Sequence, residues 1–274
     1  MKRAILLSLT ALLTFATTAV HAAPIIAMKD PTGDDKGPGK YTYPTKALYT
    51  RGSFDLTHLT ITDKGKTVEF KVGINAKIAD PWNSKSWGGN GFSLQMVQVY
   101  LDTKKGGFRG ALRGMNVKFK KGQGWDKVVF ISPQPRSRIV GEVKTKSKTQ
   151  KKLRGLVVPM KTFVRGREII AIVKKSDIGA PQKRWGVQAL LESNEGYAAK
   201  DSILARKVNE YGGSDRFGGG NDYNCDPHVL DLFAGQAKGA ASERAAQYKM
   251  LGSYTCTAEG KGKKAVIEMV YPLK

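Results

Sequence analysis

Residues 30 to 44 read Asp-Pro-Thr-Gly-Asp-Asp-Lys-Gly-Pro-Gly-Lys-Tyr-Thr-Tyr-Pro, and no helix or strand can run through them. Pro31, Gly33, Gly37, Pro38 and Gly39 force tight turns, because proline fixes φ and glycine admits positive φ. The same punctuation recurs along the chain, which carries 31 Gly and 11 Pro. Between the breaks lie short β-like runs. Val68–Ile74 and Trp185–Leu191 alternate apolar and polar residues, as half-buried strands do. Ser93–Leu101, Val128–Ile131, Arg167–Lys175 and Ala265–Tyr271 supply further strands, several of them apolar enough for burial on both faces. One stretch breaks the pattern: Ala240–Leu251 follows Gly239, is rich in Ala, Glu, Gln and Met, and predicts a short helix. The expectation is an all-β chain, an antiparallel β-sandwich with one short C-terminal helix. Residues 24–274 form a single domain in this reading, with the Gly-rich segment 212–220 as a flexible excursion tied down by a disulfide.

Lys2 and Arg3 precede an apolar run of about 17 residues, and Val20-His21-Ala22 offers small residues for cleavage. The run is short for a membrane span, so residues 1–22 are read as a signal peptide and the mature protein as periplasmic or extracellular. Export places Cys225 and Cys256, the only two cysteines, in an oxidising compartment, where a single disulfide is expected. The formal charge is +23, or +21 once Lys2 and Arg3 are lost (23 − 2). Such a field favours anionic partners: acidic polysaccharide, lipopolysaccharide or phospholipid headgroups. Export argues against nucleic acid. The densest basic run, Lys144–Arg154, reads as a solvated loop between strands, with a docking patch for an anionic envelope surface as the other reading.

No catalytic constellation is recognisable, so no catalytic residue is assigned and a non-enzyme is expected. His21 leaves with the leader, and neither His58 nor His228 sits in a hydrolase or metalloprotease motif. His58 is read as a sheet-surface residue. Asp30, Asp34 and Asp35 fall within six positions on a sharply turned loop, the setting that a calcium ion needs. The same side chains could instead cap local backbone amides, and both readings stay open. Binding chemistry is better represented. The loop Asp80-Pro-Trp82-Asn83-Ser-Lys-Ser-Trp87-Gly-Gly-Asn90 offers two indole planes for pyranose rings, with Asn83 and Asn90 for hydroxyls. Those two tryptophans could equally plug the end of the sandwich. Trp125 and Trp185 read as core.

Several stretches carry a resemblance. They are Asp-Pro-x-Gly-Asp-Asp-x-Gly-Pro-Gly-x-Tyr-x-Tyr-Pro-Thr at 30–45, Gly-Ser-Phe-Asp-Leu-Thr at 52–57 and Gly179-x-Pro-x-x-x-Trp185. Arg216-Phe-Gly-Gly-Gly, Asp226-Pro-x-Val-x-Asp231, Gln247-Tyr-x-Met-Leu-x-Ser-Tyr254 and Ala265-Val-Ile-x-Met-Val-Tyr-Pro272 continue it. In this order, over essentially the whole mature chain, they resemble the glucodextranase C-terminal domain family. That family is similar to the wider DOMON-like and immunoglobulin-like β-sandwiches, which include carbohydrate-binding modules and b-haem redox domains. The resemblance implies a β-sandwich, structural calcium in the Asp loop, and non-catalytic attachment to carbohydrate or a cell-envelope polymer. It does not imply glucodextranase activity, since no hydrolytic domain is present. A DOMON-type b-haem electron-transfer domain is the alternative, with Met96, Met115 or His228 as axial ligands. Haem is not the expected cofactor, because strand methionines ordinarily serve packing.

Overall fold

The computed structural model describes residues 22–197, 200, 202–235 and 239–272. The expected leader therefore lies outside the described residues except for Ala22. Twelve strands appear among the described residues. They are β1 (Ile26–Lys29), β2 (Leu56–Asp63), β3 (Thr67–Ile74), β4 (Gln95–Asp102), β5 (Val117–Phe119) and β6 (Lys127–Ile131), then β7 (Leu156–Val157), β8 (Lys161–Arg165), β9 (Glu168–Lys174), β10 (Gly186–Ser193), β11 (Asp231–Leu232) and β12 (Ala265–Ile267). One sheet has the order β1-β2-β3-β9-β8 and is antiparallel throughout. The second has the order β11-β10-β4-β6-β7, antiparallel except for the β6–β7 pair. A short parallel pair, β12–β5, completes the set. The expected sandwich is present, and each strand predicted from the sequence is found with its ends shifted by a few residues.

Side-chain alternation explains why the second sheet is buried on both faces. Val97, Val99 and Leu101 of β4 join Leu59, Ile61, Phe70, Val72 and Ile169 in the core between the sheets. The intervening Met96 and Tyr100 point the other way, into a second core with Trp125, Phe119, Leu190 and Leu251. A strand buried on both faces must also hide its polar members, and those members bond to one another. Gln98 donates to Glu192, Tyr100 donates its hydroxyl to Gln98, and the Leu112 amide donates to Tyr100 at 3.0 Å. Trp125 and Trp185 are core residues, as expected.

Three helices pack on this frame: α1 (Arg136–Lys146), the single-turn α2 (Lys175–Ile178) and α3 (Ala240–Leu251). The last matches its sequence expectation end to end. The first corrects another, because Lys144–Arg154 is not a loop between strands. Its first three residues close α1, and Lys151–Gly155 form a 3-10 turn. Ile139 and Val143, one turn apart, anchor α1 on the second core, and Leu153 does the same for the turn. Apolar spacing of i, i+4 was present in the sequence, but the polar residues around it and the basic run that begins at Lys144 concealed it. A further correction concerns the Gly-rich segment 212–220, which is pinned. Phe217 is buried against Tyr43, Tyr49 and Phe54, and Gly218 exchanges backbone hydrogen bonds with Thr42.

Candidate functional site

The loop that follows β1 meets β11 and α3 at one end of the sandwich. Asp30 and Asp34 turn inward there and meet Asp231, so that one carboxylate oxygen of each lies within 4.8 Å of the others. Glu243 of α3 closes the group and bears on both Asp30 and Asp34. The surroundings hold this geometry firmly. Asp231 accepts from the amides of Leu56 at 2.6 Å and Leu232 at 2.8 Å, and Glu243 accepts from Ala234 at 2.6 Å. Gln247, one helical turn after Glu243, donates to the Asp34 carbonyl at 2.6 Å and accepts from Leu232 at 3.0 Å.

Four carboxyl groups packed out of water cannot all be ionised without compensation. Both oxygens of Asp30, both of Asp34 and one of Glu243 are buried without a hydrogen-bond donor. Burial, then repulsion from Asp231, Glu243 and Asp34, pushes Asp30 up to about 12. Asp34 rises to about 8 through burial and its contact with Glu243. Asp231 lies well above the ordinary carboxylate range, mainly through burial. Two states satisfy such a cluster: protons shared between carboxyls, or a cation. Hard oxygen donors converging from a turned loop, a strand and a helix are the donor set that calcium takes. The carboxylates that the fold gathers differ from the predicted trio. Asp35 does not join Asp30 and Asp34, because its carboxylate turns away to accept from the Tyr43 hydroxyl. Asp231 and Glu243 replace it. The sequence carried a signal for Asp231, a lone acid in the apolar run Val229-Leu-Asp-Leu-Phe233. Glu243 gave none beyond being the only acid in its helix.

The second predicted region also assembles, though with a different membership. Trp82 and Trp87 line one cleft of about 610 Å³ with Gln134, Arg138, Arg206 and Tyr197. Asp80 organises its wall, accepting from the Ser84 amide at 2.8 Å and from the hydroxyls of Ser84 and Ser93. The Trp87 indole donates to the Trp82 carbonyl at 3.2 Å, and Gly89 leaves room for the ring, since a Cβ there would fall 2.6 Å from it. Trp87 is 38% exposed and Tyr197 80%. Trp82 is half-buried on the main core and covered by the Arg206 guanidinium at 5.6 Å, so it builds the wall. The two asparagines sit elsewhere. Asn90 spends its amide hydrogens on the carbonyls of Ser132 at 2.8 Å and Gln134 at 3.0 Å. Asn83 is exposed and takes the left-handed conformation that opens the 3-10 turn Ser84–Trp87. Tyr197, Arg138 and Arg206, which sequence reasoning missed, come from segments over 50 residues away.

The groups considered for haem are otherwise occupied. Met96 and Met115 are buried in the second core. His228 accepts from the Val208 amide at 3.2 Å through Nδ1 and meets Asn224 at 2.6 Å through Nε2. Burial lowers its pKa to about 3, which keeps the ring neutral. His58 lies on the first sheet, half-exposed, 3.2 Å from Glu168. Cys225 and Cys256 are joined, with their Cα atoms 5.7 Å apart. Among the described residues no helix is long and apolar enough to cross a membrane.

A family model described as the C-terminal binding-module, SLH-like, of glucodextranase matches residues 25–270. No curated protein matches the chain.

Proposed function

Because this chain belongs to the family of SLH-like C-terminal binding modules of glucodextranase, we propose that it is an exported, non-catalytic module that attaches to carbohydrate or another cell-envelope polymer through the Trp82–Trp87 cleft. The observation that carries this reading is the cleft itself. Its size is that of a small-ligand site, an exposed indole is held in place by a hydrogen bond, and amide and guanidinium groups stand around it. Aromatic planes match the apolar faces of sugar rings, and fixed polar groups match their hydroxyls. The basic surface adds long-range attraction to an anionic envelope.

In the same reading a divalent cation, calcium by the chemistry of its donors, belongs to Asp30, Asp34, Asp231 and Glu243. It would supply the positive charge that the cluster lacks and lock the 30–35 loop onto β11 and α3. Its role is structural, since no residue of the tryptophan cleft belongs to the cluster.

Retention on insoluble glucans and acidic polysaccharides at physiological salt is the test. The full chain is expected to be retained on at least one of them, and Trp87→Ala to lose most of that retention without loss of melting temperature. Failure of the unmodified protein to bind any of these polymers would sink the reading.

A further inference from the structure

A second cleft, of about 930 Å³, lies on the outer side of the 30–35 loop and belongs to neither site above. Its inner wall is built from Asp35, Asp55 and Asn75, and its rim carries Lys36, Arg51 and Arg244. The wall is set by hydrogen bonds. Asp55 accepts from the Gly33 amide at 2.8 Å and from Asn75 at 3.0 Å through one oxygen. Its other oxygen is buried without a partner, and the whole residue is only 1% exposed. The rim is the opposite. Among the described residues, no hydrogen bond or ion pair engages the side chains of Lys36, Arg51 or Arg244. The cleft thus offers carboxylate and amide acceptors below and exposed cationic donors above, with Arg244 near enough to Asp55 to favour its charged form.

Its position gives it a use. Tyr49 lines this cleft, and its hydroxyl accepts a bond from Arg206, which lines the tryptophan cleft, at 3.4 Å. The two clefts are therefore neighbours across the Tyr49–Arg206 contact. A ligand that suits the second one must bring hydroxyls to the Asp35–Asp55–Asn75 wall and a negative charge to the rim. Guanidinium groups grip carboxylates by paired, charge-assisted bonds.

We infer that this cleft is a subsite for an acidic sugar unit, a uronate, of the same polymer whose neutral rings lie against Trp87. The inference rests on the carbohydrate-binding reading and adds to it an anion-reading position made by Arg51 and Arg244.

Calorimetric titration of the full chain tests it, with a short oligogalacturonide as probe and a maltooligosaccharide of equal length as the neutral control. Three proteins are compared: unmodified, Arg51→Ala/Arg244→Ala, and Lys104→Ala/Lys105→Ala, which loses the same charge on a distant loop. The expected result is that the oligogalacturonide binds more tightly than the control. The arginine pair should then cost at least about tenfold, the effect of losing one charge-assisted bond, while the lysine pair costs little. Equal losses in both variants would reduce the effect to general charge attraction and overturn the inference. So would absence of oligogalacturonide binding, or an affinity indifferent to Arg51 and Arg244. If glucan retention through Trp87 persists in those cases, only the subsite falls; if it is absent too, the parent reading falls with it.

Discussion

Two loops of this protein begin with the same dipeptide, Asp30-Pro31 and Asp80-Pro81, and their aspartates meet opposite fates. Asp80 accepts from Ser84 and Ser93 at the edge of an open cleft. Burial pushes its pKa up, but the bonds from Ser93 and Ser84 outweigh that, and the carboxyl is held below its ordinary value. Asp30 has no donor at all, sits among three other acids, and is driven up to about 12. The first carboxylate is a finished structural device. The second is half of one, and needs a proton or a cation to complete it. The same residue before the same proline acquires contrary chemistry in the two loops, because the partners differ and are brought by tertiary structure.

The largest expected effect concerns the unfinished loop. If calcium completes it, adding calcium at 100-fold over its dissociation constant stabilises the fold by about 2.7 kcal/mol, and a chelator removes that gain. Asp34→Ala should abolish the calcium response in a melting experiment, while Asp80→Ala should leave it intact. A melting temperature that ignores both calcium and chelator would leave the protonated cluster as the resting state. The finished loop predicts a smaller change. Asp80→Ala should cost about 1–3 kcal/mol, the scale of stranding buried donors, equally with and without calcium, and should weaken glucan retention by releasing the Trp87 wall.

The pH dependence separates the two loops by sign. In cation-free protein Asp34 has its pKa raised from the ordinary 3.8 to about 8. Its folded state holds the proton more tightly than the unfolded chain does, so its contribution to stability is full below 3.8 and is lost as pH rises toward 8. Asp80 is lowered, so its contribution is present above the ordinary value and is lost as pH falls below it. Denaturant unfolding across pH in a chelator should therefore show Asp34→Asn flattening the fall in stability between pH 3.8 and about 8, and Asp80→Asn flattening the loss below the ordinary carboxylate value. Calcium should act most strongly at high pH, where the cluster is deprotonated. The same curve for both variants would break the comparison.

Much of the architecture was legible because strand periodicity is local. Alternation at Val68–Ile74 and the apolar run before Asp102 reflect which faces each strand buries, and no distant residue is needed to read that. The helix Ala240–Leu251 was legible for the same reason, since Gly239 stops the chain before a run of helix formers. Helix α1 was missed because polar and charged residues of several kinds dominate its composition, while only Ile139 and Val143 carry its packing. Site legibility was uneven. The 30–35 loop and the tryptophan loop could be located from their turn residues and aromatic content. Their working partners could not, because Asp231, Glu243, Arg138 and Arg206 lie far along the chain and are chosen by the way the sheets and α3 stack.

The sequence by itself determined the strand-rich core, the turn that forms the Asp loop, the concentration of indoles at residues 82–87 and the membership of a binding-module family. Tertiary structure alone decided which carboxylates share a buried space, which of two tryptophans keeps an exposed ring, and that Asp35 belongs to a different cleft from Asp34. Adjacent residues on an irregular loop point to opposite sides of it. Charge, hydrogen bonding and exposure are then set by whatever the fold has placed on each side.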